Sequence, residues 1–328
     1  MQILIDTFGT SLHRKENAFE VWKKGETKKL APTKIKSIVL SKGAKVSSDA
    51  ILLAIENEID VVFVDRGGTP KGRIWSHKYG SISTIRKNQV HFAKSKEGAE
   101  WVKTIVIQKA KGQIALLQSL HRDRPKKQSL IEGSIEKMNG FLDRIEEMEL
   151  YPLEANSDML RALEGNISRN YFQCLAEVVP KEYRFENRNK RPAKDMFNCV
   201  LNYLYGCLYQ RVEASLITAG IDPYLGIFHR DEYNRPVLVY DVIEQYRVWA
   251  DAVALQLCFR RLILNEMFSK NLHKKSFWLE LPGKKVVVQA FNDYLDEVVQ
   301  MNNKRRSRLI HIQDDSHRFA NMLLAYKD

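Results

Sequence analysis

Residues 59–75 read Ile59-Asp60-Val61-Val62-Phe63-Val64-Asp65-Arg66-Gly67-Gly68-Thr69-Pro70-Lys71-Gly72-Arg73-Ile74-Trp75, and the chain changes character across them. Ile59–Val64 and Gly72–Trp75 are short runs rich in β-branched and aromatic residues. Gly67-Gly68-Thr69-Pro70 between them is a turn signal, so the stretch predicts a hairpin. A glycine-rich segment of this kind superficially suggests a phosphate loop, but it lacks the strand-to-helix setting and the Gly-Lys-Ser/Thr ending of one. From about Arg86 onward the apolar residues recur with helical spacing and continue to do so. The predicted fold class is therefore α+β: a small β-rich N-terminal domain over 1–85, then a large all-α domain over 86–328.

Upstream of the hairpin, Gln2–Asp6, Ala18–Lys23 and Ile35–Leu40 predict further strands, separated by the turns Lys24-Gly25-Glu26 and Lys42-Gly43-Ala44. One helix interrupts them, capped near Ser47-Ser48-Asp49 and running through Ile51, Leu52 and Ile55. Downstream, Ala99–Leu120 and Leu130–Leu150 predict long amphipathic helices, parted by the charged break from His121 to Lys127. A third runs from the Asn156-Ser157-Asp158 cap to about Val179, where Pro180 ends it. Pro192 stands in the first turn of a fourth, which reaches Ala219 with Gly220 as its C-cap. Pro236 opens a fifth helix that carries Asp241 and Glu244 towards Met267, and two more follow Pro282-Gly283 and Arg308.

With 328 residues the chain is long enough for two cores, and its hydrophobic and charged fractions are those of a globular protein. Lys and Arg outnumber Asp and Glu by 52 to 40, a net charge of +12, which favours a polyanionic partner through counterion release. Charge alone does not separate DNA, RNA and acidic lipid. Met1-Gln-Ile-Leu-Ile-Asp6 carries an acid where a secretory signal needs apolar residues, and every longer apolar stretch is broken by charge. A cytoplasmic protein with no membrane span is expected. Its four cysteines, Cys174, Cys199, Cys207 and Cys258, form no Cys-x-x-Cys and read as reduced core thiols.

The residues able to do chemistry gather in three places. Between Gly220 and Arg247 the chain reads Gly-Ile-Asp-Pro-Tyr-Leu-Gly-Ile-Phe-His229 and later Asp241-Val-Ile-Glu244-Gln-Tyr-Arg247. At about 100° per residue, Asp241 and Glu244 share one helix face, and Arg247 continues the row. Far upstream, Glu164 lies among Leu160, Leu163 and Ile167, on or beside a buried face, where a carboxylate is costly without a cation or donor. One imidazole and two carboxylates leave coordination positions open and suit Mg²⁺ or Mn²⁺ bound to phosphate oxygens. With eight histidines and forty acids, such a trio also arises from composition, and the sequence around each residue has to distinguish the two.

That wording is Leu160-Arg161-Ala162-Leu163-Glu164-Gly165 with Tyr171-Phe172, then Phe197-Asn198-Cys199-Val200-Leu201-Asn202-Tyr203, Ala219-Gly220-Ile221-Asp222-Pro223, Gly226, His229 and Asp241-Val242-Ile243-Glu244 with Arg247. The succession, together with Arg86-x-x-Gln89 at the start of the helices, resembles the CRISPR-associated adaptation integrase and endonuclease family, Cas1, over nearly the whole chain. The resemblance implies that Glu164, His229 and Glu244 are metal ligands for Mg²⁺ or Mn²⁺, with Asp241 the accompanying catalytic acid. Relatives often carry Asp at the third ligand position, so which of Asp241 and Glu244 touches the ion is left open. It further implies insertion of short DNA (prespacers) into a repeat array by attack of a 3′-hydroxyl on a phosphodiester. The implied N-terminal domain serves dimerisation and DNA contact; the implied partners are double-stranded DNA, a second copy of the chain in a homodimer, and the small CRISPR-associated protein Cas2.

Basic runs are candidates for holding the duplex: Arg184, Arg188 and Arg191 with Lys190, and Lys304-Arg305-Arg306 followed by Ser307-Arg308. Phe185 in the first run is positioned to stack on a splayed base. Arg161, Tyr171 and Arg247 adjoin the candidate ligands and either orient DNA or are, respectively, a surface arginine, a core aromatic and the continuation of the acidic row. His317 with Asp314 and Asp315 reads as a polar helix face. Two other functions compete with integration: a purely hydrolytic metal-dependent nuclease, and a basic nucleic-acid-binding scaffold whose Glu/His/Asp trio is structural.

Overall fold

The computed structural model describes residues 2–23, 25–35, 37–65, 70–74, 83–190, 192–229, 235–271 and 276–326. The chain divides into two compact units, Met1–Gly80 and Ser81–Asp328.

The first unit holds two four-stranded sheets. β1 (Gln2–Ile5), β5 (Ser37–Ser41), β7 (Asp60–Val64) and β8 (Pro70–Ile74) form one in the order β1-β5-β7-β8. The first three are parallel and β8 returns antiparallel, which is the expected hairpin with its register broken between Phe63 and Val64. β4 (Glu26–Leu30), β3 (Ala18–Lys23), β2 (Ser11–Lys15) and β6 (Lys45–Val46) form the other. β2, β4 and β6 lay beyond sequence reasoning. β4, Glu-Thr-Lys-Lys-Leu, is a charged and exposed edge, a composition that protects an edge from aggregation but carries little strand signal. The expected helix is α1 (Ser48–Glu56), capped by Ser47 Oγ accepting from the Ala50 amide. Phe19, Ile38, Leu40, Leu53 and Val61 pack in the core of this unit.

The second unit is mainly helical. In chain order it has α2 (Ser83–Ala93), α3 (Lys96–Asp123), α4 (Gln128–Glu147), α5 (Leu153–Val178), α6 (Met196–Thr218), α7 (Val237–Ile243), α8 (Arg247–Phe259), α9 (Leu281–Asp296) and α10 (Arg308–Ala325). α6 is buried on every side, from Phe197 and Leu201 to Leu208 and Leu216, and is the centre of the core. Four expectations need correction. α5 starts at Leu153, so Asn156-Ser157-Asp158 lies within it instead of capping it. The unit is not all-α: β9 (Phe268–Asn271) pairs with β10 (Ser276–Leu279), and β11 (Val298–Met301) with β12 (Lys304–Ser307). These four-residue strands are too short for periodicity to register. α6 starts at Met196 rather than Pro192, because Asp195 caps it and the buried Asn198 side chain ties down Asn187, Arg188 and Asn189. The fifth helix is interrupted: Glu244–Tyr246 is a single 3-10 turn between α7 and α8. Arg191, Lys24, Trp75 and Gly67–Thr69 of the expected turn lie outside the described residues.

Candidate metal and phosphodiester site

Local structure brings four segments together. Gly220, at φ +81°, ends α6 and turns the chain into residues 221–229. That segment has almost no regular structure, so its shape depends on side chains from elsewhere. Gln89 of α2, completely buried, donates to the carbonyls of Asp222 and Leu225 and accepts from the Asp222 amide. Arg161 of α5 donates to the Phe228 carbonyl at 2.7 Å, with its guanidinium 4.7 Å above the Phe228 ring. Asp241 of α7 supplies the third anchor. Oδ2 accepts the Ile227 and Phe228 amides at 2.8 and 3.1 Å, and Oδ1 accepts the His229 amide at 2.9 Å.

Asp241 Oδ1 also lies 2.6 Å from His229 Nδ1. A carboxylate accepts, so the ring donates from Nδ1 and keeps its lone pair on Nε2. The imidazole remains 41% exposed while Asp241 is buried. Four donors converge on the Asp241 carboxylate, which leaves it the role of orienting His229. Of the two acids that sequence reasoning left open as ligands, Glu244 is therefore the better placed.

Glu244 stands in the 3-10 turn, and Glu164 on α5 faces it across a third group, the Lys109 ammonium of α3. Lys109 Nζ contacts Glu164 Oε1 and lies 2.5 Å from Glu244 Oε2. Arg247 closes the other side, donating to Glu244 Oε1 at 2.9 Å. α3 also passes close to the start of α8 at Gly112, where a Cβ would stand 3.2 Å from Val248 Cγ1. Burial pushes the Glu244 carboxyl up, but Arg247 and Lys109 hold it down at about 2. Burial would lower the Lys109 amine, yet Glu244 and Glu164 outweigh it and raise it. Both groups are thus charged at neutral pH.

The expected ligands do not form a ready cage: among the described residues no three His, Cys, Asp or Glu side chains gather closely enough for one. Two partly buried carboxylates facing each other require countercharge, and the lysine supplies it. The donor set nevertheless fits a hard divalent ion. Glu164 and Glu244 already share one cation, and the exposed imidazole presents Nε2. Lys109 escaped sequence reasoning although a signal existed: it interrupts the buried row of Ile105, Val106 and Gln113 on a helix read only as amphipathic.

Behind Arg247 lies a polar network that sequence reasoning also missed. Asp251 of α8 is fully buried and accepts from Tyr171 and Tyr205 at 3.0 and 2.7 Å. Burial pushes its carboxyl up to about 6, with the two hydroxyls, Arg188 and Arg247 offsetting part of the cost. The Arg188 and Arg247 guanidiniums stack over the Tyr205 ring at 5.2 and 4.8 Å. Of the expected DNA contacts, Tyr171 is in the core, while partly buried Arg188 is tied to Asn198 and partly buried Arg247 is held between Glu244 and Tyr205. Phe185 is likewise buried, stacked on Phe197. Arg184, Lys304, Arg305 and Arg306 are exposed, the last three on a β-strand rather than a loop. Asp315 is more than a solvated polar face, because it accepts from Tyr246 at 2.8 Å and so tethers the 3-10 turn to α10. The four cysteines are free thiols, three of them buried.

The sequence model of the family described as CRISPR associated protein Cas1 matches residues 3–293. A CRISPR-associated endonuclease Cas1 of Archaeoglobus fulgidus is 28% identical over 96% of this chain and 95% of its own length. A CRISPR-associated protein Cas1 of Methanobrevibacter ruminantium is 26% identical over 88% and 86%. Among solved structures, a casposase bound to integration product superposes with a TM-score of 0.85 at 20% identity, covering 100% of this chain and 91% of that one. A Cas1 protein from Thermotoga maritima gives 0.81 at 20% identity over 100% and 98%. At that identity the two structures establish a common fold. None of the described helices is long and apolar enough to cross a membrane.

Proposed function

This chain belongs to the CRISPR-associated Cas1 family, and from that premise we propose that it is a divalent-metal-dependent DNA integrase, inserting short duplexes into a repeat array. The observation that carries the proposal is the meeting of Glu164 and Glu244, eighty positions apart in the chain, on one cation beside an imidazole oriented by a buried carboxylate. Glu164, His229 Nε2 and Glu244 would hold Mg²⁺ or Mn²⁺. When bound, such an ion supplies charge for a pentavalent phosphorus centre and lowers the pKa of an attacking hydroxyl.

The remaining work falls to the chain's own groups. Asp241 keeps the His229 tautomer with Nε2 unprotonated and prevents the ring from turning. Arg161 and Gln89 hold the 221–229 backbone so that the imidazole has a fixed origin. Arg247 fixes the Glu244 carboxylate from the interior side, leaving its Oε2 for the site. Exchange of one phosphodiester for another is nearly isoenergetic, so no nucleotide-binding loop is needed. Exposed Arg184, Lys304, Arg305 and Arg306, in a chain of net charge +12, supply phosphate contacts along a duplex. A homodimer and a Cas2 partner complete the assembly; a solved neighbour is a Cas6-RT-Cas1–Cas2 complex. Action on a chromosomal array implies a cytoplasmic location.

The names of the relatives favour a second activity, endonucleolytic hydrolysis with water in place of the 3′-hydroxyl. One experiment separates the two: a labelled short duplex with free 3′-hydroxyls, supercoiled plasmid carrying a repeat, and Mn²⁺. Joined product that disappears in His229→Ala supports integration. Nicking without joining supports hydrolysis, duplex binding with neither joining nor nicking leaves the basic-scaffold function, and activity that survives His229→Ala overturns this metal site.

A further inference from the structure

The Glu164–Glu244 pair is charge-balanced before any divalent ion arrives. Two carboxylates face one ammonium and one guanidinium, and Lys109 is only 11% exposed. The two cations are held very differently. Arg247 is stacked on Tyr205 and donates to Glu244 Oε1 from the interior. Lys109 lies between the glutamates on a flexible four-carbon stem, and its ammonium is a compact charge without the fixed fork of a guanidinium. The oxygens it touches, Glu164 Oε1 and Glu244 Oε2, are the ones that face each other across the site. A divalent ion drawn to both carboxylates needs those same oxygens, and like charges a few ångströms apart in a poorly solvated pocket repel strongly.

We propose that Lys109 is the resident cation of the Glu164–Glu244 pair and that a divalent ion loads by displacing it, so that Lys109 sets the metal affinity. The inference rests on these glutamates being the metal site. Loading is then an ion exchange: the ammonium leaves the carboxylates as the metal enters, and the apparent dissociation constant includes the cost of withdrawing it. Lys109 also preserves the paired geometry of two like charges that would otherwise repel.

Mn²⁺ binding to the full chain, followed without DNA by the paramagnetic signal of the free ion, tests this independently of activity. Lys109→Met removes the charge, while Lys109→Gln removes it and keeps a hydrogen-bond donor, which guards against a variant that fails to fold. Both should bind Mn²⁺ at least tenfold more tightly than the wild type, and His229→Ala at least tenfold more weakly. Metal-free Lys109→Met should melt below the wild type and recover by a larger interval when Mn²⁺ is added. Unchanged or weaker binding in both Lys109 variants, with binding still lost in His229→Ala, overturns the exchange and leaves the metal site standing. Binding that ignores His229→Ala overturns both.

Discussion

Asp241 and Glu244 are one helical turn apart, and the structure uses them in opposite ways. Asp241 is saturated: three amides and an imidazole converge on its two oxygens, and nothing about it is available to a ligand. Glu244 is charge-paired but geometrically open, with Arg247 on one oxygen and an exchangeable ammonium near the other. The interruption of the helix between them accounts for the division. α7 points Asp241 at the 221–229 segment, and the tighter 3-10 turn carries Glu244 towards α3 and α5. A saturated carboxylate can only shape its surroundings, whereas a carboxylate held by ion pairs can exchange its partner.

The largest expected effect comes from breaking the open side. Glu244→Gln should lower strand transfer by about 10³-fold or more, with a smaller fall in melting temperature than Asp241→Ala, because its one amide oxygen still accepts from one of the two cations. Gel-resolved joining and a thermal melt on the same preparation check both halves. Asp241→Ala should behave in the reverse manner. It strands three backbone amides in the interior, at about 1–3 kcal/mol each, so a destabilisation of about 4 kcal/mol and a fall in melting temperature of about 10 °C are expected. A variant that loses activity with an unaltered melt would erase the distinction between the two acids.

A pH titration sharpens it next. Asp251 is fully buried and its carboxyl is pushed up to about 6, whereas partly buried Glu244, paired with Arg247 and Lys109, is held at about 2. Between about pH 4 and 6 native Asp251 retains a proton that the unfolded chain releases, so stability should fall as pH rises, by up to about 3 kcal/mol. Asp251→Asn should flatten that slope in urea melts across the window. Glu244 acts with the opposite sign, its contribution being lost as pH falls from about 4.5 towards 2. Metal should then stabilise the open side: Mn²⁺ at a hundred times its dissociation constant adds about 2.7 kcal/mol, and His229→Ala should abolish the shift. The smallest effect lies farthest from the comparison. Replacing Lys304, Arg305 and Arg306 together by Ala should weaken duplex binding about tenfold at moderate salt and reduce the log–log salt slope by two to three, with melting unchanged.

Much of the fold was legible because its signals are local. Ile59–Val64 announced a strand, Ser47 and Gly220 marked helix ends, and the apolar rows of α3 to α6 showed their period without knowledge of any partner. Glu164, His229, Asp241 and Glu244 were likewise visible as residues able to bind a cation. Lys109 was not, because a lysine on an amphipathic helix normally reaches solvent, and only the packing of α3 against the Glu244 turn turns it inward. The surroundings of Tyr171 and Arg247 were illegible for the same reason: the Tyr171–Asp251 hydrogen bond and the stacking of Arg247 on Tyr205 join residues far apart in the chain.

By itself, then, the order of residues determined where strands give way to helices and which side chains carry chemistry, since periodicity, caps and turns act over a few neighbours. Only the tertiary structure decided which acid is tied to three amides and an imidazole and which is paired with cations, and that an ammonium stands between the two glutamates. Those outcomes depend on what each carboxylate meets after the chain has closed on itself, and a buried charge takes its role from the partner that neutralises it.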